Sequence, residues 1–132
     1  MAHATGSFEV KIRPQADDFL QGSSLGRMTI DKQFHGDLEG TSKGEMLTGG
    51  EVAKGSAGYV AIEQVTGSLN GRSGSFILQH SGTMTRGTPQ LTISVVPDSG
   101  TGQLAGLSGT MTIKITDGKH FYDFAYSLPE SH

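Results

Sequence analysis

One small phrase occurs three times in this chain, as Gly36-Asp37-Leu38-Glu39-Gly40-Thr41-Ser42-Lys43-Gly44, Gly67-Ser68-Leu69-Asn70-Gly71-Arg72-Ser73-Gly74 and Gly102-Gln103-Leu104-Ala105-Gly106-Leu107-Ser108-Gly109. Each copy reads Gly-x-Leu-x-Gly-x-Ser-Gly, with Lys43 inserted in the first. The copies begin at positions 36, 67 and 102, a spacing that fits two strands with their connections, and an apolar, strand-like run follows each. A glycine-rich phrase in step with pairs of strands predicts a meander of β-hairpins turning the same kind of corner repeatedly, as a closed barrel does. The leucine of each copy is expected to plug the barrel near its end.

Alternation supplies the strands between the corners. Phe8, Val10 and Ile12 alternate with Glu9, Lys11 and Arg13, the period-2 signature of a half-buried strand. Asp17 to Ser24 reads as a polar connection, and a second strand follows over Leu25–Phe34, with Met28, Ile30 and Phe34 on or near one face. The first phrase leads into a strand ending near Leu47, with Thr48-Gly49-Gly50 as a turn. Tyr59–Leu69 places Tyr59, Ala61, Glu63 and Val65 on one face and Val60, Ile62 and Gln64 on the other, and Ser75–Thr85 pairs with it across the second phrase. Leu91, Ile93 and Val95 mark a sixth strand ended by Pro97; Met111, Ile113 and Ile115 mark a seventh. Asp117-Gly118 is a strong tight-turn signal, and Phe121–Leu128 is the eighth strand. Helical periodicity reaches at most one turn, at Ala16–Gln21 or Gly102–Leu107. The expected fold is all-β, an eight-stranded antiparallel up-and-down barrel, in one domain spanning residues 1–132; a β-sandwich is the alternative. Both faces of Tyr59–Val65 and of Phe121–Ala125 are partly apolar, which predicts an interior on one side and a partner subunit on the other, a homo-oligomer.

Composition narrows the function classes. Glycine supplies 20 of 132 residues without a Gly-X-Y period, which suits turns and bulges of a β fold. Thirteen acids against ten bases give a net charge of −3 with no block of either sign, so no nucleic-acid footprint is present. The chain has no cysteine, so thiolate chemistry and a disulfide framework are excluded. The N-terminus carries no apolar signal core and no stretch approaches a membrane span, so a cytoplasmic protein with no membrane partner is expected.

Several segments carry a resemblance. Val95-Val96-Pro97-Asp98-Ser99-Gly100-Thr101-Gly102-Gln103-Leu104-Ala105-Gly106-Leu107-Ser108-Gly109, together with Tyr59-Val60-Ala61-Ile62-Glu63, Gly71-Arg72-Ser73-Gly74-Ser75-Phe76 and Leu78-Gln79-His80, resembles a bacterial family known as domain of unknown function 3224, a small relative of the allene-oxide-cyclase-like barrels. The resemblance runs from Phe34 to Tyr126. It implies an eight-stranded barrel with a small-molecule cavity and a tendency to oligomerise.

The candidate chemistry centres on Glu63 and His80. Glu63 shares a strand face with Tyr59, Ala61 and Val65, and His80 shares one with Phe76 and Leu78; the strands are neighbours around the second phrase. If these faces point inward, an acid and an imidazole lie among apolar side chains, where burial raises the carboxyl pKa and lowers that of the imidazole, preparing both for proton transfer near neutral pH. A hydrogen-bonded core pair is the competing structural reading. Tyr122 and Tyr126, in alternation with His120 and Phe124, and also Tyr59, offer phenols to a cavity ligand or pack as core aromatics. Phe76 adds an apolar wall. Arg72, at a turn, could grip an acidic ligand or brace a loop. His35 and Asp37 share a strand face without further metal-ligand spacing, so no metal and no cofactor is expected. His3 and His132 are terminal. Ser99-Gly100-Thr101-Gly102 offers backbone N–H groups to an anion but lacks the phosphate-loop ending; it reads better as a special turn at one barrel end. The leading expectation is a barrel that binds a small hydrophobic or aromatic ligand. The alternatives are a cofactor-independent isomerase or cyclase using Glu63 and His80, and a structural oligomeric barrel without a ligand.

Overall fold

A computed structural model describes residues 2–14, 25–51 and 55–129. Eight antiparallel strands follow one another around a closed barrel: β1 Ala2–Pro14, β2 Gly26–Gly36, β3 Leu38–Glu51, β4 Ser56–Leu69, β5 Arg72–Thr85, β6 Thr88–Val95, β7 Ser108–Thr116 and β8 Lys119–Ser127. Closure comes from β1 against β8, in register from Ala2↔Tyr126 to Phe8↔His120. A closed barrel leaves no sheet edges at either side of a sandwich, so the sandwich alternative is set aside. The polar connection and helical turn expected between Asp17 and Ser24 and at Ala16–Gln21, together with His132, lie outside the described residues. The turn expected at Thr48-Gly49-Gly50 is instead strand: Thr48↔Tyr59, Gly49↔Gly58 and Gly50↔Ala57 continue the β3–β4 ladder. Ladder pairing outweighs the local turn preference of two adjacent glycines.

The three phrases occupy the three connections at one end of the barrel, β2–β3, β4–β5 and β6–β7. Their leucines, Leu38, Leu69 and Leu104, are fully buried there, the third at the end of a short 3-10 turn over Gly102–Leu104. Phe34, Phe76, Phe124 and Tyr126 fill the layer beneath them. Glycines of the phrases make room for this plug. Gly40, Gly67 and Gly74 lie in one row across β3, β4 and β5; a Cβ on Gly67 would stand 2.1 Å from the carbonyl oxygen of Glu39. The Leu69–Arg72 corner is closed by Asn70 and Gly71, both at positive φ, as a two-residue type I′ hairpin requires.

The other end is built differently. Its described turns are Arg86-Gly87 and Asp117-Gly118, again both residues at positive φ. β6 and β7 pair only at Ile93↔Met111 and Ser94↔Thr110, then diverge. Ile12, Met84, Leu91 and Ile115 continue the inward-facing rows of Phe8, His80, Ile93 and Met111, yet they are 49, 41, 44 and 64% exposed. Inward-facing apolar residues that remain exposed describe a mouth. The barrel is therefore plugged at the phrase end and lined by accessible apolar side chains at the other.

Candidate functional site

Glu63 sits midway along β4, on the inward row Tyr59, Ala61, Glu63, Val65. It is completely inaccessible to solvent. Gly44 of β3 lies directly opposite, and a Cβ there would meet the Ile62 carbonyl and the Glu63 Cα. This glycine lets β3 close tightly on β4, so side chains from neighbouring strands converge on the carboxylate. Ser42 Oγ of β3 donates to Oε1 at 2.7 Å. Lys32 Nζ of β2 donates to Oε2 at 2.8 Å. His80 Nε2 of β5 lies 2.5 Å from the same Oε2. The convergence follows from register: Lys32 pairs with Ser42, and His80 with Ala61, two residues from Glu63.

The charges of this cluster compensate each other. Lys32 is 8% exposed, and its ammonium also lies over the ring faces of Phe8, at 4.9 Å, and Phe34, at 5.8 Å, where the π-electrons add attraction. Burial by itself pushes the Glu63 carboxyl upward, but the His80 hydrogen bond and the charge and hydrogen bond of Lys32 overcome it and hold the carboxyl down at about 2. The expectation of a carboxyl raised toward neutrality by burial is thereby corrected. An ionised carboxylate only accepts hydrogen bonds, so His80 Nε2 carries a proton and donates it. In the neutral imidazole, Nδ1 is then the lone-pair nitrogen. It faces the hydroxyl of Tyr59 at 3.5 Å. Tyr59 is half-buried, and burial, then the Glu63 charge, push its phenol upward, keeping it a proton donor at neutral pH. The result is a file, Tyr59–His80–Glu63–Lys32, that begins toward the mouth with a long contact and ends in the core with short ones.

The remaining candidates lie elsewhere. Phe76 is buried and stacks on Phe124 with ring centroids 5.8 Å apart, toward the plugged end. Tyr122 uses its hydroxyl on the backbone, accepting from Leu38 N at 2.9 Å and facing the His35 carbonyl at 3.0 Å. Tyr126 accepts from Asn70 Nδ2 at 2.7 Å. Arg72 is exposed at the β4–β5 turn, where with Tyr126 and Asn70 it borders a recess of about 370 Å³ on the outside of the plugged end. His35 pairs with Glu9 at 2.8 Å, and Asp37 accepts from Thr5 N at 3.0 Å; among the described residues no three His, Cys, Asp or Glu gather as a metal cage. In the Ser99–Gly102 loop, Ser99 Oγ accepts from Ile77 N at 3.0 Å and Thr101 N donates to Ser75 O at 2.8 Å. These bonds continue the pairing of β5 beyond the end of β6 and seal the barrel wall.

Two members of the cluster, Lys32 and Ser42, were not anticipated from sequence. Lys32 stands between Ile30 and Phe34 on the inward row of β2, and a charge within an apolar row is the signal that marks it. Ser42 belongs to the first phrase, two residues on from Gly40, and nothing local distinguishes it from a turn serine.

The comparisons with known proteins agree with this architecture. The model of a family described as "Protein of unknown function (DUF3224)" matches residues 4–126. A crystal structure of a protein of unknown function from the same family, from Shewanella oneidensis MR-1, is 51% identical in sequence, covers 99% of both chains and superposes with a TM-score of 0.92. No curated protein matches the chain. No helix among the described residues is long and apolar enough to cross a membrane.

Proposed function

We propose, from the premise that the chain belongs to the DUF3224 family of proteins of unknown function, that it is a binding barrel for a small, mainly apolar ligand. One observation carries the reading: inward-facing Ile12, Met84, Leu91 and Ile115 stay exposed at one end and lead toward the Tyr59–His80 edge of a buried polar cluster. An apolar lining with a few converging polar groups is what a small-molecule site consists of. The ligand's body rests among the mouth residues and its polar end meets Tyr59 and His80. Native mass spectrometry of the purified protein, with a thermal-shift screen of apolar compounds, tests this. A bound or stabilising compound, lost on replacing Leu91 and Met84 by arginine, is expected; a screen in which no apolar compound raises Tm overturns it.

The hydrogen-bond directions favour one second reading, a cofactor-independent isomerase or cyclase. Glu63, ionised and tied to Lys32, is a poor base; its role is to orient His80, leaving Nδ1 as the base and Tyr59 as the acid. A bound enolisable ketone in D₂O should then exchange its α-hydrogens with the wild-type protein and not with His80→Gln. Equal exchange in both removes the reading.

A homo-oligomer is proposed on different grounds. Leu47, Val60 and Ile62 point away from the interior and are 47, 52 and 50% exposed, lining an outer groove rimmed by Arg27, Lys43 and Glu45. A second copy of the chain fits a rim carrying both signs of charge.

A further inference from the structure

We infer, resting on the ligand-binding reading above, that the ligand is uncharged and that its polar group is a hydroxyl able to donate and accept at once, a phenol or an enol, seated between Tyr59 and His80. The geometry at that point is unfinished. The 3.5 Å separation of Tyr59 Oη from His80 Nδ1 is the longest contact of the cluster, beyond the usual range of a good hydrogen bond. Every other polar contact of the cluster lies between 2.5 and 2.8 Å. A ligand hydroxyl placed within reach of both atoms donates to Nδ1 and accepts from Tyr59, replacing one long contact by two good ones.

The donor and acceptor roles are set from below. Glu63 accepts the hydrogen bond of His80 Nε2–H, which leaves Nδ1 as the acceptor nitrogen, facing Tyr59. Gly82, directly across from Tyr59, allows the phenol ring to lie flat against β5, since a Cβ there would stand 2.5 Å from Tyr59 Cε1. Gly82 is thus a positioning residue for the Tyr59 hydroxyl.

Charge excludes the obvious competitors. A carboxylate or phosphate would find the negative Glu63 behind His80, with Lys32, the buried cation of the cluster, already bound to that carboxylate and covered by Phe8 and Phe34. A cationic ligand would find the Glu63 carboxylate already taken, because both of its oxygens are engaged. The mouth offers the exposed side chains of Met84, Leu91, Ile12 and Ile115, and a thioether makes favourable contact with an aromatic ring. A site built to bond a hydroxyl discriminates strongly against a compound lacking one, because its own polar groups are then left without partners.

Three probes of one shape test this by calorimetry on the intact chain: 4-propylphenol, propylbenzene and 4-propylbenzoate. The phenol is expected to bind about tenfold more tightly than the hydrocarbon, and the benzoate more weakly than either, as one or two neutral hydrogen bonds imply. Tyr59→Phe and His80→Gln should each weaken phenol binding by roughly three- to tenfold while leaving propylbenzene unchanged. The ¹⁵N shift of His80 Nδ1 should move on adding phenol to the wild type, a change that a loss of packing alone would not produce. If His80→Gln fails to fold, Tyr59→Phe and the wild-type nitrogen shift decide the matter. Equal affinity for phenol and propylbenzene overturns the hydroxyl assignment while leaving the apolar barrel site intact. Tightest binding of the benzoate overturns it in favour of a cationic pocket. Binding of none of the three overturns the ligand-binding reading itself.

Discussion

Lys32 is the residue whose replacement has the widest consequences. It and Glu63 are buried together at 2.8 Å, and such pairs are sustained by mutual compensation rather than by surplus attraction. Glu63→Gln or Lys32→Met alone strands a buried charge and should cost about 3–5 kcal/mol, whereas Lys32→Met with Glu63→Gln should cost clearly less than the two added together. Urea unfolding of the four proteins measures the coupling; strict additivity would show that the pair is not a unit. The same carboxyl sets an acid limit. Its pKa falls from an ordinary 4.5 to about 2 on folding, so its contribution, about 3 kcal/mol, is complete above the ordinary value and is lost as pH falls through the window down to about 2. The double variant should lack this dependence, which acid titrations of stability would reveal. Glu63 and His80 were legible because each interrupts an apolar alternation in strands that must be neighbours. Lys32 interrupts one in the same way, yet a lysine's ordinary place is solvent, and without its charge the Glu63 carboxyl is read in the wrong direction.

At the scale of the strand, the repeated phrase proves to be a packing device. Its leucines fill the plugged end, and its glycines let strands and side chains meet there without interference. β4 offers an internal comparison, since it carries Gly67 within the phrase and Gly58 outside it. A Cβ on Gly67 would stand 2.1 Å from a backbone carbonyl oxygen, whereas one on Gly58 would stand 3.7 Å from the Gly82 carbonyl oxygen, an ordinary van der Waals contact. Gly67→Ala should therefore destabilise by about 1–3 kcal/mol, as overpacking does, or more. Gly58→Ala should be neutral or slightly stabilising, through the reduced freedom of the unfolded chain. Thermal unfolding separates them, and similar Tm values for the two variants would refute the packing role. Strand number, the Asp117-Gly118 turn and the plugging leucines could be read from alternation and spacing. The continuation of β3 through Thr48–Gly50 could not, because cross-strand pairing with Tyr59, Gly58 and Ala57 decides it. The early divergence of β6 from β7 is likewise a property of the closed wall, with no local signature in either strand.

At the scale of the molecule, β4 serves two surfaces at once. Its inward row carries Tyr59 and Glu63; its outward row carries Val60 and Ile62, with Leu47 of β3 directly paired to Val60. A strand with water on its outer face ordinarily alternates apolar with polar, and a contiguous exposed apolar patch calls for a covering partner. In a two-fold dimer the same patch meets itself, bordered in each copy by the Arg27–Glu45 pair, 3.8 Å apart. Light scattering at micromolar concentration should give a multiple of the chain mass for the wild type and a monomer for Val60→Asp combined with Ile62→Asp. Because these residues face away from the interior, the doubly substituted protein should retain the affinity for 4-propylphenol found in the wild type. A wild-type monomer at every concentration would eliminate the second copy as the occupant of this face. A monomeric variant that also loses the phenol would show instead that the two faces of β4 are coupled, and that assembly shapes the site within.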